Sequence, residues 1–214
     1  MAFSKSIYDL INMDSSCRDS QWEESFLKQL PSAHFRVLSE SPGTGPDGWP
    51  YLLVEVDAQA TEPVEKVLEW LSDKGIGLVI NPRKEEPDFI LSFGMVWHYR
   101  EWRKFRTEGE HIPSGVVEYR EGQKVLAGPP SEPYLPEYVR RILRAFFRDN
   151  GIDEMKILIM GQGQNFDLCF SLEACGNPPS EEHTALLEAI SWFLPRHYSL
   201  VLVSETGLPP FHSL

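Results

Sequence analysis

An α+β fold made of two αββαβ units is the architecture this sequence predicts, and three observations predict it. Apolar periodicity reads helix, strand, strand, helix, strand over residues 1–89, and the same order returns over residues 134–214. Residues 65–89 lie over residues 187–211 without a gap at a displacement of 122 positions, which sets Trp70 on Trp192, Val79 on Val201, Pro87 on Pro209 and Phe89 on Phe211. Residues 90–133 match neither copy and read as a β-rich insert that runs into a proline-rich linker, "GPPSEPYLP" at 128–136. An internal duplication with an insert between the copies is the expectation these features share.

In the first unit, "SIYDLINM" reads as a short helix. Asp19 or Ser20 can cap the next one, on which Trp22, Phe26, Leu27 and Leu30 share a face and Pro31 is the stop. "HFRVLSE" alternates as a strand does. "SPGTGPDGWP" carries the Gly and Pro of a loop, and "YLLVEVD" is apolar and β-branched enough for a second strand. Thr61 is the expected cap of the following helix, with Pro63 in its first turn. Val64, Val67, Leu68 and Leu71 give that helix its buried stripe, and Gly75 ends it before the strand "IGLVIN". In the insert, an extended strand is expected at 89–99 and a hairpin turning at "EGQ" within "VVEYREGQKVLAG".

The second unit opens with the helix "PEYVRRILRAFFRDNG", with Tyr138, Ile142 and Ala145 on one side and "NG" as its stop. The strands "MKILIMG" and "NFDLCFSLEA" follow, joined near "GQGQ". Ser180 is the expected cap of a helix whose stripe is Leu186, Ala189, Ile190 and Phe193, each 122 positions after its counterpart in the first unit. "YSLVLVSE" is the last strand. A single αββαβ unit has only three strands, so pairing two units would cover an open edge or an apolar face.

The chain has 214 residues and a formal net charge of −12. An acidic surface repels phosphate backbones and anionic bilayers, so neither nucleic acid nor membrane is an expected partner. Three cysteines, Cys17, Cys169 and Cys175, form no disulfide framework. The start lacks the apolar core of a signal peptide, and no apolar run is long enough to span a bilayer. A reducing cytoplasm is the expected location.

No catalytic residues, metal ligands or cofactor emerge from the motifs. "GTGPDG" and "GQGQN" lead into strands and lack the Lys-Ser/Thr of a phosphate loop, so both read as turns. The histidines His34, His98, His111, His183, His197 and His212 have no i, i+4 pair. Cys169 lies in an apolar run and reads as core. One segment stands out in an acidic chain: "WHYREWRKFR". It gathers Arg100, Arg103, Lys104 and Arg106 among Trp97, Tyr99, Trp102 and Phe105, and aromatic plus Arg is the composition of interaction hot spots. The residues expected to bind a partner are Trp97, Tyr99, Arg100, Trp102, Arg103, Lys104 and Arg106. The other reading of the same segment is an amphipathic edge whose aromatics complete the core. Arg140, Arg144 and Arg148 recur at four-residue spacing as a solvated stripe.

The helix entered through "SEPYLPEYV", the strand pair, the helix, the strand "SLVLVSE" and the final "PPF" follow one another in an order that resembles the C-terminal region of SseB-like proteins. "GIGLVINP" is similar to a stretch of that family's N-terminal region. The resemblance covers about the last 80 residues; "PPFHSL" departs from the aromatic that usually follows the Pro-Phe, and the insert has no counterpart. What the resemblance implies is an α+β cytoplasmic bacterial protein that is not a classical enzyme, and it brings no catalytic residues to carry over. The expected function is a non-enzymatic interaction or regulatory role with an unidentified protein partner. A small-molecule sensor or enzyme with a cleft between the repeats is the alternative.

Overall fold

The computed structural model describes residues 6–84, 86–105, 125–162 and 165–214, with the side chain of residue 162 excepted. Arg106 and the expected "EGQ" hairpin turn lie outside the described residues. The fold is α+β, and the chain divides into two compact units, Met1–Phe105 and Arg106–Leu214. No helix among the described residues is long and apolar enough to cross a membrane.

The first unit opens with α1 (Ile7–Ile11), which Ser6 and Asp9 close with a reciprocal capping box. A 3-10 turn at Ser15–Cys17 leads to α2 (Ser20–Gln29), whose Asp19 cap accepts the Trp22 N–H at 2.9 Å. Trp22, Phe26, Leu27 and Leu30 are buried, as their spacing predicts. The Trp22 indole donates to the Leu10 carbonyl at 2.9 Å and ties α2 to α1. Then come β1 (His34–Val37), β2 (Gly43–Thr44), β3 (Pro50–Val56), β4 (Glu62–Pro63), α3 (Val64–Leu71), β5 (Gly77–Ile80), β6 (Phe89–Leu91) and α4 (Phe93–Trp102). "GTGPDG" supplies β2 and the turn into β3, closed by Gly45 N–H to Trp49 carbonyl at 2.8 Å.

The strands lie in the order β4-β1-β3-β5-β6, with β2 on β3. β1 and β3 are antiparallel; β3 and β5 are parallel, as a helical crossover requires. Side chains alternate across the sheet, so Phe35, Leu52, Val54, Val56, Leu78, Ile80 and Leu91 face one core with Val64, Val67, Leu68 and Leu71 of α3. Burial of each large member stabilises the unit by about 1.5–3 kcal/mol. Thr61 does not cap α3. Residues 62–63 pair with β1 instead, which leaves Pro63 at the cap position with no side-chain bond to give.

The extended strand expected at 89–99 is also corrected. Only 89–91 are strand, and Ser92 begins a helix by accepting the Met95 N–H. Every residue from Phe93 to Tyr99 is buried, and a helix buried all round shows no polar period to read.

The second unit contains β7 (Leu126–Gly128), α5 (Glu137–Asp149), β8 (Lys156–Gln162), β9 (Asn165–Ser171), α6 (Ser180–Ser191), β10 (Ser199–Val203) and β11 (His212–Ser213). Its order is β10-β9-β8-β11, with β7 also on β8. β8 and β9 are antiparallel, and β9 and β10 are parallel. The helix–strand–strand–helix–strand sequence therefore has the same pairing pattern in each unit. Phe147 meets Phe170 at 5.8 Å and Phe146 meets Phe193 at 5.0 Å on the helical face. Leu158, Met160 and Cys169 line the opposite face with Val201, Val203, Leu208 and Phe211.

Two details differ from the sequence reading. α5 buries Val139, Leu143, Phe146 and Phe147, the face adjacent to Tyr138, Ile142 and Ala145. α6 starts at Ser180 itself, with Pro179 at the cap position and no side-chain bond there.

Candidate functional site

The end of α4 holds the residues that composition singles out. Trp97 is fully buried and Tyr99 is 4% exposed, so both are core residues. Arg100, Trp102, Arg103 and Lys104 are exposed. The helix stops at Arg103, which adopts the left-handed conformation (φ 55°) and returns its N–H to the Tyr99 carbonyl at 2.8 Å. That reversal carries Phe105 back onto the Tyr99 ring, stacked at 4.6 Å. His98 Nδ1 donates to the Lys104 carbonyl at 2.6 Å and holds the turn from the other side.

Several side chains of the segment have definite partners. The Tyr99 hydroxyl donates to Glu65 at 2.7 Å. Burial, and then the Glu65 carboxylate, push its phenol up to about 12. The Arg103 guanidinium lies 5.8 Å from the centre of the Tyr99 ring. Arg100 Nη1 donates to Ser72 Oγ of the α3 end at 3.1 Å. Trp102, 42% exposed, rests on His98 at 4.6 Å and on Trp97 at 5.7 Å. The result is a part-exposed indole backed by two rings, on a helix end where Arg100, Arg103 and Lys104 are exposed and Arg100 Nε lies 3.7 Å from the Glu101 carboxylate. The other cationic stripe is used differently. Arg140 donates to the Leu135 and Pro130 carbonyls, and Arg144 to the Leu214 carbonyl at 2.8 Å, so two of the three expected solvated arginines hold backbone.

A second constellation was not foreseen from the sequence. Asp88 follows β5 and has a side chain with no exposure. Arg18 Nη1 lies 2.7 Å from its Oδ1, and Lys84 Nζ lies 2.8 and 2.7 Å from its two oxygens. Asn81 donates its amide to the same carboxylate. Asn81 sits just past β5 in the left-handed conformation (φ 56°), which short polar side chains tolerate, and its Oδ1 accepts the Val56 N–H at 2.9 Å. This places the cluster at the carboxyl ends of the parallel strands β3 and β5. That is where α/β sheets commonly receive ligands, and a surface cavity of about 1010 Å3 opens there beside Arg18, Trp22, Lys84 and Asp88.

The hydrogen bonding assigns the cluster a structural task. Arg18 directs Nε and Nη2 to the Met13 carbonyl and Nη2 to that of Ile11, and its guanidinium lies 4.8 Å over the Trp22 ring. Lys84 donates to the Ile11 carbonyl at 2.6 Å. The donors are thus engaged with α1 and Asp88, and the group clamps the N-terminal helices to the β5–β6 connection. No sequence motif announces it, because Arg18 and Asp88 meet only through the tertiary fold.

In the second unit Cys169 is 1% exposed on the central strand β9. Burial, and then the Asp167 carboxylate, push its thiol up to about 12, the opposite of what a nucleophile needs. His183 Nε2 donates to the Pro178 carbonyl at 3.0 Å, at the start of α6. No protein-family model, curated protein or solved structure matches this chain.

Proposed function

We propose that the protein is a non-enzymatic cytoplasmic interaction protein that docks an acidic segment of a partner at the C-terminal end of α4. The observation that carries this reading is Trp102, 42% exposed and backed by Trp97 and His98, with Arg100, Arg103 and Lys104 exposed on the same helix end. A preorganised aromatic loses little conformational freedom on binding, and neighbouring cations select an anionic partner in a chain that is otherwise acidic. Trp97 and Tyr99 support this surface from beneath. The resemblance to SseB-like proteins is part of the reading. So is a common origin of the two units, supported by their shared pairing pattern and by the parallel registers Leu52–Leu78 and Leu168–Leu200.

The test is affinity capture from source cytosol with three baits beside the wild type: Trp102→Ala, the triple reversal of Arg100, Arg103 and Lys104 to Glu, and Arg148→Glu as a control on an exposed cation of α5. A stoichiometric partner should disappear with the first two and persist with the third. A partner held equally by all baits removes the end of α4 as the site.

A further inference from the structure

The outer edge of β1 is open beside an apolar groove. In the β1–β3 ladder Asp57 donates to the His34 carbonyl and Leu38 donates to the Leu53 carbonyl. Alternation then turns the N–H and C=O of Phe35 and Val37 away from β3. β4 covers Phe35 through its pairing with Glu62, and goes no further, because the chain turns with Ala60 N–H on the Asp57 carbonyl. Among the described residues no strand lies beside the outward N–H and C=O of Val37.

Val37, 39% exposed, Leu52, Val67 and Trp70, 49% exposed, wall a groove of about 300 Å3 between this edge and α3. The Lys74 ammonium lies 4.9 Å from the centre of the Trp70 ring. Glu62 on the rim is paired with Lys66 at 3.1 Å, which leaves the charge of Glu40 on the same rim.

We infer that this edge receives an extended segment of a partner protein, added as a strand beside Val37, with a bulky apolar side chain in the groove and a Lys or Arg next to Glu40. The outward backbone groups select an extended chain over a helix, since only a strand presents N–H and C=O in line with them. Alternate side chains of such a strand point toward α3, where the groove lies. The negative rim selects the flanking cation. A second copy is disfavoured because it brings the same net charge of −12, with its own Glu40 and Glu62, to an edge whose rim already carries the charge of Glu40.

The probe is the blocked peptide acetyl-Ser-Lys-Val-Phe-Val-Lys-Ser-amide, titrated into the isotope-labelled full chain. Binding should shift the Val37 amide resonance and slow its hydrogen exchange. The same peptide N-methylated at alternate residues should bind at least about tenfold more weakly. Val37→Pro removes the outward donor without touching the β3 ladder and should weaken the parent peptide by a similar factor. Trp70→Ala should weaken both register and affinity. Should Val37→Pro fail to fold, the N-methylated peptide makes the same test on unaltered protein. No perturbation at Val37 up to about 1 mM peptide overturns the inference. Equal binding of the N-methylated form overturns strand addition, and concentration-dependent self-association through this edge overturns the choice of occupant.

Discussion

Replacing Asp88 with alanine removes the hub of the clamp, and the geometry sets the size of the effect. The Arg18–Asp88 pair is nearly dry, with side-chain exposures of 15% and 0%. The Lys84 side chain is 40% exposed, so solvent screens its half of the arrangement. Truncating one partner of a buried ionic group leaves the other charges and the Asn81 amide without their acceptor, which costs about 3 kcal/mol. Double-mutant cycles separate the contributions: the Arg18–Asp88 coupling should be about 2 kcal/mol and the Lys84–Asp88 coupling below about 1 kcal/mol. Urea denaturation followed by tryptophan fluorescence reads both, provided the slope with urea stays constant among variants. Salt near 1 M should roughly halve the Lys84 coupling and leave that of Arg18 in place. A cost below about 1 kcal/mol for Asp88→Ala, or a Lys84 coupling equal to that of Arg18, refutes the burial argument.

Gly77→Ala would set a Cβ 2.7 Å from the Leu91 carbonyl oxygen and from the Tyr51 ring, so it should lower stability by about 2 kcal/mol in the same urea assay; an unchanged midpoint contradicts that packing. Iodoacetamide should modify exposed Cys17 first and Cys175, whose thiol burial pushes up to about 11, more slowly. It should reach Cys169 only on unfolding, and mass spectrometry showing native Cys169 labelled at the rate of Cys17 would disprove its burial. The raised Tyr99 value means that the fold favours the neutral phenol. Its stabilisation is present below the ordinary value of 10.0 and is lost as pH rises through about 12. An ultraviolet difference titration should therefore lose one late-titrating phenol in Tyr99→Phe, and an identical curve would place Tyr99 among the ordinary tyrosines.

The legible parts of the sequence are those where one face is buried and the other is wet. α3 is the clear case: Val64, Val67, Leu68 and Leu71 are all at most 7% exposed. In the matching stripe of the second unit, Ile190 of α6 and Phe193 just past its end are buried, while Leu186 and Ala189 stay half-buried. The sheet explains the difference, since β6 extends the floor beyond β5 while, among the described residues, no strand lies beyond β10. α4 reads as a strand because its first two turns, Phe93–Tyr99, are buried on all sides, which erases the period. The exposed half of the α4 surface was visible as composition, yet no pattern separates Trp102 from Trp97 without knowing which turn of the helix faces the core. The Asp88 clamp was invisible, because it joins residues 70 positions apart and rests on the unusual backbone of Asn81.

The two central hairpins differ in how much chain they must close. In the second unit Gln162 pairs with Asn165, so the β8–β9 ladder begins with two intervening residues. In the first unit Val37 pairs with Val54 across sixteen. Loop closure makes the longer hairpin about 2 kcal/mol harder to start. Local pairs also form on the microsecond scale, ahead of ladders that wait for a distant partner. The shared β-strand pairing therefore closes at unequal cost: in the second unit the central antiparallel pair is itself local, whereas in the first the local pair is β2 with β3 (Thr44 opposite Pro50), and β1 must be gathered onto it from farther along the chain.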